Sequence, residues 1–273
     1  MTYHRPAWAP DSVDIEKPSP ARMYDYCLGG SHNFAADRQL AEEAKSVFPD
    51  TREYCVANRA FLQRAVAVLT RLGIDQFLDL GSGIPTASNV HEVAKAINPQ
   101  ARTVYVDSDA VAYAHGVALL ADEPSARFVQ GDLRDPDAVL GDATVRGFLD
   151  FDRPIGLLLF SVIPFVPDED DPPAIIAQYR DACVPGSYLA LTHGTGDYKP
   201  AEAGAISRVY NRASQTMTPR PRAAVLDMMA GYDLLEPGLT DAIRWRPDPQ
   251  GLPDPFGGDV TRYSLYAAVG KKP

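Results

Sequence analysis

The sequence is poor in the features that mark several common classes of protein. It has 3 cysteines in 273 residues and no Cys-x-x-Cys pair, which predicts reduced thiols and neither a disulfide framework nor a metal site. Its longest apolar run, residues 155–166, is interrupted by Ser161 and Pro164. A membrane span needs about 20 apolar residues. Residues 1–20 lack the apolar stretch of a secretory signal, so we expect a cytoplasmic protein outside the membrane.

Positive charge is also in short supply. The chain has 26 Lys and Arg against 36 Asp and Glu, which gives a net charge of -10. A protein that holds nucleic acid by its phosphates needs a surplus of basic side chains on one face, so we expect no nucleic-acid partner. The remaining composition, 45% hydrophobic and 23% charged, is typical of an ordinary globular protein.

Short apolar runs alternate with helical segments after Gly73, which is typical of a parallel sheet covered by helices on both faces. The predicted strands are residues 76–80, 103–107, 127–130, 155–161, 188–192, 232–236 and 262–269. The predicted helices are residues 38–47, 52–72, 88–97, 110–121, 136–141, 173–183, 201–214 and 221–230. Because the last two strands form a close pair, we predict an α/β, Rossmann-like, doubly wound sheet of seven strands with an antiparallel last strand.

The residues before the first predicted strand have a different character. Residues 1–20 carry four prolines and no periodicity, so we expect a flexible arm. The pair Gly29-Gly30 predicts a break in any helix there, whereas Thr51 and Gly73 suit the cap at a helix start and a left-handed helix end. We predict an N-terminal arm and helical cap at residues 1–72 and a sheet domain at residues 73–273, together one compact unit.

The segment FLDLGSGIPT, residues 77–86, lies where the first predicted strand ends and a helix begins. Its glycines, Gly81 and Gly83, allow a tight turn and a close approach to a ligand, and the N-terminus of the following helix offers unpaired N–H groups. The pattern predicts a nucleotide-like cofactor at this turn. An ordinary turn between a strand and a helix is the alternative, because a Gly-x-Gly motif is weak by itself.

Acidic side chains accompany the ends of three successive predicted strands: Asp79, Asp107 and Asp132. An acid at the position of Asp107 can bind the ribose hydroxyls of a nucleoside. Asp132 can accept a hydrogen bond from an adenine amino group, and Leu133 can cover the ring. The alternatives are loop acids or helix caps, and Asp109 is predicted to cap the next helix. Because these strands end at one edge of the sheet, we expect the three acids to converge.

Two absences bear on which cofactor binds. A dinucleotide fingerprint requires a third glycine where this sequence has Thr86. None of the 13 tyrosines is followed four residues later by a lysine, so the Tyr/Lys pair of short-chain dehydrogenases is missing. S-adenosylmethionine carries a cationic amine and a sulfonium and no phosphate, which suits an acid-rich crevice. We therefore favour S-adenosylmethionine over a nicotinamide cofactor, and an oxidoreductase is the less favoured alternative.

Several phrases together resemble the bacterial S-adenosyl methyltransferase family of the class I S-adenosylmethionine-dependent methyltransferases. They are ARMYDYCLGGSHNFAAD at 21–37, NRAFLQRAV at 58–66, QFLDLGSGIPTASNVHEVA at 76–94, VYVDSD at 104–109, VQGDLRDP at 129–136, FVPDEDDP at 165–172, and LLEPGL with RWRP between 234 and 247. The resemblance implies a Rossmann-like methyltransferase fold with an N-terminal helical cap. It also implies that the cofactor is lined by Gly81, Ser82, Gly83, Asp107, Asp132 and Leu133. It implies methyl transfer but names no acceptor.

The sequence departs from the family pattern at Pro164, where relatives tend to have a histidine. This departure motivates a second hypothesis, a non-catalytic sensor that binds S-adenosylmethionine or S-adenosylhomocysteine. The Asp/Asn-Pro-Pro-Tyr signature of enzymes that methylate exocyclic base amines is absent at the fourth predicted strand. We expect a small-molecule acceptor.

The cap and the fifth predicted strand supply the remaining candidates. Arg22, Tyr24 and Asn33 lie in an aromatic, glycine-containing segment with the makeup of a binding lid, and Arg22 is a candidate for the cofactor carboxylate. A structural strap is the alternative. His193 is the best-placed candidate catalytic base, with a structural loop histidine as the alternative. The predicted cofactor-binding residues are Asp79, Gly81, Ser82, Gly83, Asp107, Ser108, Asp132, Leu133, Ser161, Arg22, Tyr24 and Asn33.

Overall fold

The computed structural model of the chain describes residues 5–6, 9–11, 13–85, 89–248 and 254–273. Thr86, parts of the predicted arm and part of the predicted loop at 246–258 lie outside these residues. Within the described part, eight strands form one sheet: β1 (Gln76–Leu80), β2 (Arg102–Asp107), β3 (Ala126–Gln130), β4 (Gly156–Phe160), β5 (Tyr188–Gly194), β6 (Asp233–Leu234), β7 (Thr240–Asp241) and β8 (Leu265–Lys271).

The order across the sheet is β3-β2-β1-β4-β5-β8-β6, and β7 also pairs with β8. Neighbours among β1 to β5 are parallel, whereas β8 runs antiparallel to β5, β6 and β7. The central strands are apolar because helices cover both faces, and β1, β4 and β5 are buried along their whole length. The strand order reverses between β1 and β4, which opens a crevice at their carboxyl ends, the usual place for a ligand in a doubly wound sheet.

Helices cover the two faces of the sheet. In the described residues they are α1 (Pro20–Cys27), α2 (Ala35–Val47), α3 (Thr51–Arg71), α4 (Val90–Lys95), α5 (Ala110–Leu119), α6 (Pro136–Gly141), α7 (Ala143–Phe148), α8 (Pro172–Ala182), α9 (Pro200–Tyr210) and α10 (Arg222–Asp227). Phe61 of α3 and Val111 of α5 pack in the core on one face, and Val145 of α7 and Ile176 of α8 pack in the core on the other. No helix among these residues is long and apolar enough to cross a bilayer.

A further apolar cluster joins α1, α2, α3 and α9, which we call the cap. Met23 of α1, Leu40 of α2, Cys55 of α3 and Ile206 of α9 are buried in it. α9 therefore joins the cap from far beyond residue 72, the predicted end of this region. α3 in turn packs on the sheet through Phe61, so the cap and the sheet share a core.

The predicted fold class is confirmed, with corrections to its details. β7 and α7 were not predicted; α7 is capped by Asp142, whose carboxylate accepts hydrogen bonds from N–H groups of its first turn. β6 is shorter than predicted because the chain turns from Leu235 on: the N–H of Gly238 donates to the carbonyl of Leu235 at 2.8 Å, and Gly238 has φ of +79°. β8 begins at Leu265 because Asp259 caps a preceding turn of 3-10 helix.

The helix predictions also need correction in the cap. The predicted break at Gly29-Gly30 is confirmed, since α1 ends just before the pair: Gly29 has φ of +85°, and both N–H groups donate to carbonyls of the last turn of α1, at 3.0 and 2.8 Å. This is the hydrogen-bond pattern of a Schellman helix end. Asp50 is the cap residue of α3, so Thr51 is its first helical residue and not its cap. The left-handed helix end predicted at Gly73 is confirmed by φ of +95°.

Candidate functional site

A cavity of about 470 Å³ lies at the crevice between the ends of β1 and β4. Small-molecule and cofactor sites have volumes of about 300–1,000 Å³. We call the residues at and just after the carboxyl ends of β1 to β5 the floor of the cavity. Its roof consists of residues of the cap and of residues 214–219. Every residue predicted to bind the cofactor lines this cavity except Asn33.

The glycine turn forms the centre of the floor. Gly81 and Gly83 have φ of +70° and +67°, which favours glycine at both positions. The N–H groups of Gly81 and Ser82 donate to the carbonyl of Val106 at 2.8 and 3.1 Å, so the turn is fixed against β2. A Cβ atom at Gly81 would lie 2.1 Å from the side chain of Val162. Only the bare backbone fits at this position.

Asp107 is held in place by the backbone around it. Its Oδ2 accepts a hydrogen bond from the N–H of Gly83 at 2.7 Å, and its Oδ1 accepts one from the N–H of Asp109 at 2.8 Å. Burial raises the pKa of Asp107 to about 6, against the opposing effect of these hydrogen bonds. Asp109 accepts hydrogen bonds from the N–H groups of Val111 and Ala112, so it caps α5 as the sequence predicts.

Asp79 and Arg59 bring opposite charges to the same cavity. Asp79 is the last residue but one of β1 and is buried, whereas Arg59 comes from α3 in the cap. Burial raises the pKa of Asp79 to about 7; the charge of Arg59 lowers this pKa and that of Asp107 raises it. The guanidinium of the roof thus lies close enough to the acid of the floor to favour its ionised form.

Asp132 is a different kind of acid from Asp107, because it is half-exposed and paired. Its Oδ2 lies 2.6 Å from Nη2 of Arg134. Burial alone would raise the pKa of Asp132, but the hydrogen bonds from Arg134 outweigh it and hold the pKa below its usual value. Leu133 is buried beside it and lines the cavity. The acids Asp79, Asp107 and Asp132 therefore lie around one cavity, as expected from the strand ends.

Arg22 lines the cavity, but each of its nitrogens already has a partner. Nε lies 2.9 Å from Asp37 of α2, Nη1 lies 2.9 Å from Asp109, and Nη2 donates to the carbonyl of Lys17 at 2.6 Å. Arg22 is 4% exposed and Asp37 is fully buried. This cluster ties α1 to α2 and to the start of α5. The geometry is that of the structural strap, the alternative to a ligand contact.

Tyr24 and Asn33 also make internal hydrogen bonds. The Tyr24 hydroxyl donates to the carbonyl of Cys55 and accepts from Nδ2 of Asn58, each at 3.0 Å. Asn33 donates to Oδ2 of Asp25 at 2.8 Å and lies outside the cavity lining that the structure describes. Tyr24 therefore faces the cavity with its hydroxyl engaged, and Asn33 supports the bend between α1 and α2.

Ser161 follows β4 and contacts the roof directly. Its hydroxyl is hydrogen bonded to that of Tyr54 on α3. Its N–H donates to Oγ1 of Thr192 at 2.8 Å, and this hydroxyl donates to Oδ1 of Asn58 at 2.6 Å. The backbone of Ser161 has φ of +56°, a strained conformation for a residue with a side chain. The carboxyl ends of β4 and β5 are thus connected to the cap by a chain of hydroxyl and amide groups.

His193 is fully buried and lies outside the cavity lining that the structure describes. Its Nδ1 donates to the carbonyl of Gly194 at 2.7 Å, which leaves Nε2 to accept from Nη1 of Arg220 at 3.2 Å. Burial lowers the pKa of His193 to about 3, with Arg220 adding to the effect. This environment is that of a neutral structural histidine and lends no support to its prediction as a base.

The polar residues of the roof that were missed as site candidates include Tyr54, Asn58 and Arg59. Tyr54 and Asn58 are one helical turn apart on α3 and therefore face the same side. This polar pair, on a helix that also has a buried apolar face, was the feature of the sequence that could have indicated a contact with the site. It was weak because polar side chains on a helix usually face water.

The cavity fits S-adenosylmethionine by several observations. The glycine turn lets a ligand approach the backbone closely, and Asp107 lies at the end of β2, the position at which doubly wound folds hold a ribose. Asp79 and Arg59 are complementary in charge to an amine and a carboxylate. Among the described residues, no group of three or more His, Cys, Asp or Glu side chains is placed to hold a metal ion. The donor set suits a cationic nucleoside without phosphate.

This fold and site define a Rossmann-like protein built for a nucleoside-type cofactor. A profile of the S-adenosyl methyltransferase family matches residues 6–273. A solved structure of a candidate methyltransferase from Thermobifida fusca is 37% identical over 98% of this chain and 99% of its own, with a TM-score of 0.90. A DUF574 family protein from Streptomyces avermitilis is 35% identical over 95% of this chain and 99% of its own, with a TM-score of 0.88.

The chain therefore belongs to the S-adenosyl methyltransferase family, and it is an S-adenosylmethionine-dependent methyltransferase. Human N-acetylserotonin methyltransferase, solved with S-adenosylmethionine, shares the fold at 14% identity, with a TM-score of 0.50, over 91% of this chain and 62% of its own. No curated protein matches the sequence. The predicted family, fold and cofactor are confirmed.

Proposed function

We propose that the enzyme transfers a methyl group from S-adenosylmethionine to a small molecule that binds under the cap. The observation that carries this proposal is a single cavity with a polar, acidic floor and a roof that includes apolar side chains such as Ile206 and Met217. A cofactor on the floor and an acceptor under the roof would share one space. A volume of about 470 Å³ that the cofactor and the acceptor share favours a small acceptor.

The nucleoside end of the cofactor belongs to the ends of β2 and β3. Asp107 accepts hydrogen bonds from the ribose hydroxyls, and Ser108 lies beside it. Asp132 accepts a hydrogen bond from the adenine amino group, and Leu133 covers the ring. Two backbone N–H groups hold the Asp107 carboxylate, so it meets the ribose without prior rearrangement.

The amino-acid end of the cofactor belongs to Asp79 and Arg59. Asp79 matches the ammonium group of the cofactor, and Arg59 matches its carboxylate. Arg59 is chosen because it lines the cavity close enough to Asp79 to lower the pKa of that carboxyl, whereas Arg22 holds Asp37, Asp109 and Lys17 together. Because Asp79 comes from the floor and Arg59 from the roof, the bound cofactor would hold the cap against the sheet.

When bound, S-adenosylmethionine supplies a methyl group made electrophilic by its sulfonium. The residues of this chain position the two reactants and exclude water from the site, and these two effects account for much of the acceleration of a displacement reaction. The Arg22 cluster keeps α1 over the cavity, and Tyr54, Tyr210 and Met217 exclude water from the cap side. His193 takes no part in proton removal, because both ring nitrogens are engaged.

Calorimetric titration with S-adenosylmethionine, S-adenosylhomocysteine and NAD⁺ tests the cofactor. An assay of S-adenosylhomocysteine release over a panel of phenols, amines and carboxylic acids tests the reaction. We expect both sulfur nucleosides to bind, NAD⁺ not to compete, and at least one acceptor to give turnover. Binding without turnover on any acceptor would favour a sensor, and preference for NAD⁺ would contradict the proposal.

We also propose that the enzyme acts in the cytoplasm. Its cysteines, Cys27, Cys55 and Cys183, are buried and free, which is usual for proteins of a reducing compartment. Fractionation of cells that express the full chain, with immunodetection, tests the location. Recovery in the membrane or extracellular fraction would contradict it.

A further inference from the structure

The part of the cavity beside α9 has an apolar lining that the cofactor assignment leaves unused. Its walls are Phe48, Phe165, Ile206, Tyr210 and Met217, and we call this space the acceptor chamber. The ring centroids of Phe165 and Tyr210 lie 5.4 Å apart. Aromatic walls favour a flat, ring-bearing occupant, because ring pairs add to the stabilisation from buried apolar area.

The base of the acceptor chamber carries two neutral hydroxyl groups. Tyr54 and Ser161 are hydrogen bonded to each other, and both line the cavity. The bonds from Ser161 to Thr192 and from Thr192 to Asn58 fix the position of this pair. A hydroxyl both donates and accepts, so the pair can hold an O–H group of a ligand in either sense. Positive φ at Ser161 places a strained residue at this point, a feature common at functional sites.

Space beside the two hydroxyls exists because residue 194 is glycine. A Cβ at Gly194 would lie 3.2 Å from the Tyr54 hydroxyl and 3.3 Å from Cε of Met217. Gly194 ends β5 and lines the cavity. A methyl group there would press on both neighbours, so the glycine sets the size of the chamber at the hydroxyl pair.

The charged groups at the rim of the chamber are paired with one another. Lys199 Nζ lies 3.6 Å from Oδ2 of Asp50 and 3.5 Å from Oε2 of Glu202, an oxygen that is buried and accepts no hydrogen bond from the described residues. A charged ligand would have to compete with these pairs, whereas a neutral one leaves them intact. Burying an unpaired charge among apolar walls is also costly. The chamber is therefore complementary to a neutral molecule.

We propose that the acceptor chamber takes a neutral, flat ring compound that bears a hydroxyl group, which the Tyr54 and Ser161 hydroxyls hold while Gly194 limits its size. This inference rests on the proposed function, because the compound is the methyl acceptor. It names the substrate class and assigns acceptor recognition to three residues at the carboxyl ends of β4 and β5 and on α3.

The experiment uses the full chain saturated with S-adenosylhomocysteine, so that no reaction occurs. The probes are 2-naphthol, naphthalene and benzoate, titrated by ligand-observed NMR. We expect 2-naphthol to bind about 2- to 10-fold more tightly than naphthalene, the value of one neutral hydrogen bond, and benzoate to bind more weakly than 2-naphthol.

The variants separate the contribution of the hydroxyl pair to binding from the contribution of the space beside it. In Tyr54→Phe the preference for 2-naphthol over naphthalene should fall about 2- to 10-fold, while naphthalene binding stays as in the wild type. In Gly194→Ala the affinity for both 2-naphthol and naphthalene should fall about 10-fold or more, as expected when a methyl group is inserted into a packed site. Gly141→Ala, at a surface glycine of α6 with open space around it, is the matched control and should match the wild type.

Affinity for S-adenosylhomocysteine separates failure of the proposed function from failure of the acceptor proposal. If the wild type fails to bind it, the proposed function fails. If it binds but benzoate equals 2-naphthol, or if Tyr54→Phe keeps the full preference for the hydroxylated ring, the acceptor proposal is overturned alone. A variant with wild-type affinity for S-adenosylhomocysteine is folded, so Tyr54→Phe decides the question if Gly194→Ala does not fold.

Discussion

The floor and the roof of the cavity are built in different ways. Each floor residue lies at or just after the carboxyl end of a strand. Asp107, for example, accepts hydrogen bonds from backbone N–H groups at the same edge of the sheet. Roof residues come from chain segments far apart in sequence: Arg22 from α1, Tyr54 from α3 and Met217 from the segment after α9. The roof side chains hold one another and reach the floor through a few polar contacts.

This difference suggests a division of labour. A floor made of backbone turns can hold the nucleoside end of a common cofactor whatever lies above it, because its geometry depends on the sheet. A roof made of side chains from separate helices can change its lining without disturbing that geometry. We infer that the floor sets the nucleoside end of the cofactor and that the roof sets most of the acceptor lining. The two parts meet at the Arg22 cluster, at Arg59 beside Asp79 and at the Tyr54–Ser161 pair.

Breaking the Arg22 cluster should have the largest effect. Arg22→Ala leaves Asp37 buried without its cation, and loss of one partner of a buried ion pair costs about 3–5 kcal/mol in unfolding free energy. Urea denaturation measures the change. Arg153→Ala removes an exposed pair with Asp75 and should cost about 0–1 kcal/mol. Equal losses in the two variants would mean that the cap is not fastened at Arg22.

Within the floor, the two acids of the nucleoside end should differ. Asp107→Ala should weaken S-adenosylmethionine binding by about 1–3 kcal/mol, because charge-assisted hydrogen bonds are lost and the glycine turn loses its support. Asp132→Ala should weaken binding by about 1 kcal/mol or less, since Asp132 is half-exposed and already paired with Arg134. Calorimetry on both variants checks the order, and a larger loss for Asp132→Ala would reverse the assignment.

The floor was predictable because its signals are local in sequence. Glycine at positions 81 and 83 and the acids Asp79, Asp107 and Asp132 each adjoin a strongly apolar strand, and parallel strands must end at one edge. The sheet and most helices followed from the same periodicity. Short elements such as β7 and α7 escaped prediction, because they depend on single caps and on pairing with β8 rather than on a pattern.

The roof was not predictable in the same way. Nothing near Ile206 in the sequence indicates that α9 packs with α2, and this contact is set by the shape of the apolar cluster. Arg22 and His193 have residue types common in active sites, yet both are engaged. Arg22 donates to Asp37, whereas His193 donates to the carbonyl of Gly194 and accepts from Arg220. Residue type shows what a side chain can do, whereas its partners decide whether it is available.

The pH dependence of cofactor binding sharpens the role assigned to Asp79. Its pKa is raised to about 7 by burial, so the carboxyl is largely protonated at pH 5 and ionised by pH 8. An ammonium group binds the ionised form, so S-adenosylmethionine affinity should rise from pH 5 to pH 7, by at most about tenfold per unit for one proton. Calorimetry across this range should give a flatter profile for Asp79→Asn. A wild-type affinity independent of pH would remove Asp79 from the ammonium group.

Stability should change with pH in the opposite direction. The carboxyls of Asp79 and Asp107, with their pKa values raised to about 7 and about 6, keep protons that the unfolded chain loses near pH 4. The native state therefore binds more protons between about pH 4 and pH 7, and the contribution of these acids to unfolding free energy falls as pH rises through that window. Urea denaturation of the free protein at several pH values should show a weaker decline in Asp79→Asn.

The smallest expected effect tests whether the cap can be loosened without touching the floor. Gly29→Ala places a Cβ in a left-handed conformation at the end of α1 and should cost about 1 kcal/mol of unfolding free energy. Gly141→Ala, where φ is not left-handed, should be neutral or slightly stabilising. Because Gly29 lies outside the described cavity lining, S-adenosylmethionine affinity at 25 °C should match the wild type. A clear loss of affinity in Gly29→Ala, with the protein still folded, would show that floor and roof act as one unit, so that the cofactor depends on the cap as much as the acceptor does.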